Sequence, residues 1–466
     1  MQSSPEAGGK LHEVWRKAWE PALRVWSPYT RLSEPLFLFT LEEEKNVKLP
    51  DSFAAIRLDG QKVMVSLRLI SQCELDDFAL EILSHEIGHH VFCPGNLLEA
   101  GKSIAIAMKA LPSREHHAPL VTNMWEDLLI NDRLVRLHKQ RHAEIYEIMR
   151  VEGSTNRLWA FYMRCFEILW GLRPGRLVSI PLEPHEEGDA HLAARMVRVY
   201  NHDWLHGLGG FATLCLPYLQ DDTFVLDRNF QLLKDMNRAG AGADPPLGVL
   251  DIEEFSVVHP SRDPNIVTSP GQGEESANST EGSSEAKTAV GGTGVQSREP
   301  FLYGRVLEAL GMKLDQHDAA VRFYREKALP HLIPFPTRET QESKEPLMEG
   351  LEPWDTGEAL EEIEWMQSVL ISPKPIPGFT TVKRTWGVMG GREWEREPLD
   401  LDLYVDCSGS IPNPQLLFSY LALAGAIVVL SALRTGARVQ ATLWSGAGEF
   451  HSTPGFIRDE RAILRV

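Results

Sequence analysis

His85-Glu86-Ile87-Gly88-His89 is the stretch on which the reading of this chain turns. On a helix, imidazoles four residues apart lie on one face, one turn apart, and can reach a single metal ion. A glutamate between them stands close enough to take a proton from a water that the metal polarises. The flanking sequence supplies the helix. Leu75–Phe92 carries Asp76 and Asp77 in its first turn and apolar residues at Phe78, Ile82, Leu83 and Ile87, and Cys93-Pro94-Gly95 stops it. Upstream, Val63–Ile70 reads as a strand, preceded by the apolar run Ala54–Leu58 and the turn signal Asp59-Gly60.

A hairpin followed by the motif helix resembles zinc peptidases of the zincin type. That resemblance implies an α+β, mostly helical N-terminal region, with an edge strand that aligns the substrate backbone by strand addition. It also implies Zn²⁺ on His85 and His89, and Glu86 as general base. A catalytic zinc needs a third protein ligand and an open position for water. The segment Asn123–Asp132 offers two adjacent carboxylates. On a helical wheel Val121, Met124, Leu128 and Val135 define the inward face. Asp127 and Asn131 flank that face one turn apart, as a ligand and the orienter of a histidine would. Asp127 is preferred; Glu126 stays a rival, since glutamate is the commoner third ligand in thermolysin-like enzymes. Glu99, His116 and His117 are weaker candidates in expected loops, and His90 is expected to neighbour the site without ligating.

A second signal lies far downstream. Leu399–Val405 is a hydrophobic strand running into Asp406-Cys407-Ser408-Gly409-Ser410, followed by an apolar helix at Leu416–Leu433 and a strand at Ala437–Ser445. Asp-x-Ser-x-Ser after a strand resembles the first metal loop of a von Willebrand factor A domain. There the aspartate and two hydroxyls hold Mg²⁺ or Mn²⁺, which prefer hard oxygen ligands, at the carboxyl end of a parallel strand. The threonine and aspartate that such domains contribute from two later loops are not visible before Val466. This region is therefore expected to be a partial α/β, Rossmann-like domain, either one piece of a longer or split product or completed by a partner chain. The run Leu416–Leu433 is long enough to span a membrane, but Ser419, Tyr420, Gly425 and Ser431 interrupt it and a core helix explains it better.

Composition agrees with a multi-part protein. A chain of 466 residues suggests about three domains, and its 43% hydrophobic content is ample for real cores. A net charge of −18 argues against non-specific binding to nucleic acid or anionic membrane. Five cysteines without paired spacing suggest neither disulfides nor a cysteine metal site. The N-terminus lacks the basic and apolar regions of a signal peptide, so a reducing cytoplasm is the expected compartment. Lys10–Trp26 reads as an amphipathic helix packing through Trp15 and Trp19, and Leu158–Leu172 and His191–His206 read as helices. Trp159, Phe161, Tyr162, Phe166 and Trp170 read as core. Residues 257–298, rich in Ser, Gly and Glu, read as a disordered linker.

The expected division is a metallopeptidase region with helical extension at 1–255, a linker at 256–300, a helical and Pro-rich connector at 301–395, and the partial von Willebrand factor A domain at 396–466. Together these parts resemble bacterial proteins joining a zincin-like region to a von Willebrand factor A domain, many of them associated with MoxR-type AAA+ ATPases. The resemblance implies a peptidase acting on a protein substrate, recruited or regulated through a Mg²⁺-dependent protein-binding domain. The alternative is a catalytically inactive adaptor or scaffold working with an AAA+ ATPase or in a bacterial defence complex.

Overall fold

The computed structural model describes residues 5–47, 49, 52–150, 156–178, 180–220, 243–255, 257–267, 298–409, 411–446 and 448–466, with backbone only at 5–8, 340–345 and 390–395. Most of the stretch read as a linker lies outside them. The chain divides into two compact units, one of Met1–Phe323 with Asn413–Phe418, the other of Tyr324–Pro412 with Ser419–Val466.

The first unit is built around one buried helix. α1 (Pro5–Trp26) leads to β1 (Leu36–Leu38) and a short α2 (Leu41–Asn46). β2 (Ala54–Arg57) and β3 (Lys62–Ser66) then form an antiparallel hairpin through the Asp59-Gly60 turn. β3 is central, since β1 pairs with it in parallel on its other side. The strand expected to reach Ile70 stops at Ser66, whose hydroxyl accepts from the Leu69 amide and caps α3 (Leu67–Gln72). The motif helix α4 (Ala79–Val91) starts later than the acidic pair suggested. Asp76 is instead engaged by the Ser71 hydroxyl at 2.6 Å.

α5 (Leu97–Ala110), α6 (Ala118–His138), α7 (His142–Ile148), α8 (Arg157–Trp170), α9 (Pro184–Val199) and α10 (Trp204–Cys215) complete this unit with α11 (Glu299–Ala309). α9 and α10 divide the single helix expected over His191–His206. α6 is the axis. Its residues Val121–Asp132 are all buried, so the helix has no solvent face over the stretch for which the wheel had assigned one inward side. α1 lies against α4 and is tied to it and to the turn before it by indole hydrogen bonds: Trp26 donates to Ser84 O at 2.7 Å and Trp15 to Asp76 O at 3.1 Å. Gly88 permits this crowding. A Cβ there would stand 2.7 Å from both Ile130 Cγ2 and Trp26 Cζ2.

In the second unit, the stretch read as a Pro-rich connector carries a long antiparallel hairpin, β4 (Thr337–Pro353) with β5 (Val382–Pro398). Its strands are charged and interrupted by Pro346 and Gly387, which hid them from a reading based on apolar alternation. β6 (Leu401–Asp406) then pairs in parallel with β7 (Val439–Gly446), and β8 (Glu449–Ser452) turns back antiparallel along β7. α14 (Tyr420–Arg434) connects β6 to β7, and α13 (Trp365–Ile371) and α15 (Glu460–Leu464) belong to the same unit, whereas the division between the units, after Phe323, falls within α12 (Gln316–Ala328). Val429, Ala432, Val439, Ala441 and Ile463 form the core between sheet and helices. No helix among the described residues is long and apolar enough to cross a membrane.

Candidate metal centre

His85 and His89 stand one turn apart on α4, and Asp127 comes from α6. Their donor atoms meet. His85 Nε2 lies 3.2 Å from His89 Nε2, and Asp127 Oδ1 lies 3.5 Å and 3.4 Å from those two nitrogens. This is the one His/Cys/Asp/Glu cluster among the described residues that could hold a metal ion.

The far side of each of the three side chains is held by a hydrogen bond. His89 Nδ1 is 3.1 Å from the carbonyl of Cys93, the residue at which the chain leaves the helix. A carbonyl only accepts, so Nδ1 of His89 carries the proton and Nε2 presents its lone pair to the centre. His85 Nδ1 is 2.7 Å from Asn131 Oδ1, and Asn131 in turn donates to the Tyr146 hydroxyl at 3.0 Å. Asp127 Oδ2 accepts from Asn123 Nδ2 at 3.1 Å, and the Tyr162 hydroxyl donates to it at 3.5 Å. That arrangement leaves Oδ1 as the atom turned to the imidazoles. Two nitrogen lone pairs and a carboxylate oxygen directed at one point make a donor set that a cation satisfies.

The two adjacent carboxylates part ways. Glu126 is as buried as Asp127, but its Oε1 lies 3.4 Å from the Ser103 hydroxyl of α5. Glu86 is fully buried on α4, one position after His85. Glu99 lies in the first turn of α5, and the rings of His116 and His117 lie 3.8 Å apart, tilted by 45°, in a 3₁₀ turn before α6. His90 is half-buried outside the cluster, and burial lowers its pKa.

No protein-family model, curated protein or solved structure matches this chain.

Three parts of the site's geometry were not read from the sequence. Asn123 shares a helical stripe with Asp127 and Asn131, a spacing of four and four that could have revealed it. Tyr162 is core, as expected, and its hydroxyl nonetheless reaches Asp127. His142 and Tyr146, one turn apart on α7, face the site from the other side. The His142 ring is 6.5 Å from that of His85, centroid to centroid. Burial, then the charge of His85, holds its pKa down at about 3, so it is neutral at physiological pH.

The second expected site is only partly described. Asp406 ends β6, and its Oδ1 accepts from the Ser408 amide at 2.8 Å. Ser410 lies outside the described residues.

Proposed function

We propose that the chain is a zinc-dependent metallopeptidase, with His85, His89 and Asp127 as ligands and Glu86 as general base. The observation that carries this is the triangle of donor atoms, with edges of 3.2, 3.4 and 3.5 Å. Ligands about 2.0–2.1 Å from a tetrahedral zinc stand roughly 3.3–3.4 Å apart. Three protein donors would leave a coordination position open to water, as catalytic sites require and closed structural sites do not. Zinc, when bound, supplies Lewis acidity that makes water nucleophilic near neutral pH. Glu86 takes the proton from the attacking water and returns it to the departing amine. Asn131 and the Cys93 carbonyl keep both imidazoles in the ligating tautomer, and Asn123 and Tyr162 keep Asp127 turned inward.

Asp406, Ser408 and Ser410 would hold Mg²⁺ or Mn²⁺ in a von Willebrand factor A-type unit that recruits a protein partner. Support for this comes from the parallel β6–α14–β7 unit with Asp406 at the carboxyl end of its strand, where open α/β sheets place ligands. A MoxR-type AAA+ ATPase, or a chain that completes the sheet, is the partner this reading suggests.

One observation favours the second reading, an inactive adaptor with a structural metal. Glu86, His89 and Asp127 are fully buried, and the His85 side chain is only 13% exposed. Glu86→Gln separates the two. A peptidase keeps its zinc and loses about 10²–10⁴-fold in turnover of a protein substrate, the usual contribution of a general base. An adaptor keeps zinc and client binding unchanged.

A further inference from the structure

The burial of the triad raises a question of access. A peptide in an active site runs as an extended strand, about 4.7–4.9 Å from whatever backbone it pairs with. The space beside His85 is a cavity of about 30 Å³, enough for one water molecule. Its walls are Phe53 before β2, Ile82 and His85 of α4, Asn131 of α6, and a run from α7 and the residue after it.

α7 carries none of the proposed metal ligands. It buries His142, Ile145 and Tyr146, with Met149 just beyond, and leaves Glu144 and Ile148 exposed. It is thus a cover one helix thick. Lys139, in the left-handed conformation at φ 56°, ends α6 just before it.

Two neighbouring residues pull this cover in opposite directions. Arg141 ties its start to the motif helix. Its guanidinium donates to Glu81 Oε1 at 3.1 Å and to the Asp77 carbonyl at 2.8 Å, and stacks over the Phe78 ring at 4.6 Å. His142, the next residue, is buried in the cavity wall with neither ring nitrogen hydrogen-bonded. An imidazole buried without a protein partner has given up hydrogen bonds to bulk water, which it recovers when the cover lifts.

We infer that α7 is a lid over the metal centre, latched by Arg141 and biased toward opening by His142, and that a polypeptide substrate enters only when it swings away. This rests on the metal reading above. Lifting the lid also parts Tyr146 from Asn131, the group that orients His85, so opening and ligand orientation are coupled.

The test is the rate at which the chromogenic chelator 4-(2-pyridylazo)resorcinol takes zinc from the zinc-loaded full chain. Wild type, Arg141→Ala and His142→Phe are compared, with global unfolding measured in urea alongside. Arg141→Ala is expected to release zinc at least tenfold faster, and His142→Phe at least threefold slower. Opposite signs at adjacent residues distinguish a lid from general loosening. Equal rates in all three proteins, or rates that follow global stability in both variants, overturn the lid while leaving the zinc site standing. A wild type that binds no zinc removes the metal reading, and the lid with it.

Discussion

The two metal sites suggested by short motifs sit in contrasting surroundings. Around His85, His89 and Asp127 every candidate ligand has a partner on its far side, drawn from α6, α8 or the loop after α4. Around Asp406 the one described support is the neighbouring Ser408 amide. The sheet that carries it is covered by helices on one face, while Tyr404, Trp444 and Phe450 stand 62%, 46% and 70% exposed on strands β6–β8. Parallel strands are ordinarily covered on both faces. A motif can serve as a site when the rest of the fold holds its donor groups from behind, and the first candidate centre has that support within its own unit.

The sharpest way to break this contrast is at the third ligand. Asp127→Asn is expected to weaken zinc binding by at least 10²-fold in competition titration, whereas Glu126→Gln leaves it within threefold. The reverse result would assign the carboxylate wrongly. Asn131→Ala removes only support and should cost about 10–100-fold in zinc affinity, the usual effect of losing a ligand's orienting partner. Gly88→Ala tests the packing that presses α1 and α6 onto the motif helix. Its Cβ would meet Ile130 and Trp26 at 2.7 Å, and a loss of about 1–3 kcal/mol in urea unfolding is expected.

A further prediction concerns pH. His142 has a pKa of about 3 when folded, below the ordinary imidazole value, because it is buried and faces His85. Between those two values the unfolded chain binds a proton that the folded one does not. Stability is therefore fully present above the unfolded pKa and falls as the pH drops through about 6 toward 3, by up to ~1.4 kcal/mol per pH unit from this group. Comparing urea midpoints of wild type and His142→Phe at pH 7.5 and pH 5 isolates the contribution. The variant should lose the steeper part of the slope.

Much of the first centre was legible because its chemistry follows helical spacing. His85 and His89 are four residues apart, and Asp127 and Asn131 repeat that interval on the facing helix. The wheel could separate Asp127 from Glu126 only by angle; the structure separates them by partner, with Ser103 beside Glu126. His142 escaped notice because seven residues between two breaks give too little periodicity to place, and its role depends on which side of α4 the chain returns to. Leu67–Ile70 was read as strand because β-propensity continues through it, yet the hydroxyl of Ser66, the last residue of β3, caps a helix there. The hairpin β4–β5 escaped for the opposite reason: its pairing is supplied by backbone hydrogen bonds between strands whose side chains show no apolar alternation.

The most direct test of the central claim is metal content by native mass spectrometry on the full chain, with His85→Ala and Glu86→Gln beside the wild type. The account predicts about one zinc per chain in the wild type and in Glu86→Gln, and none in His85→Ala. A wild type that stays metal-free when supplied with zinc and purified without chelator would contradict it.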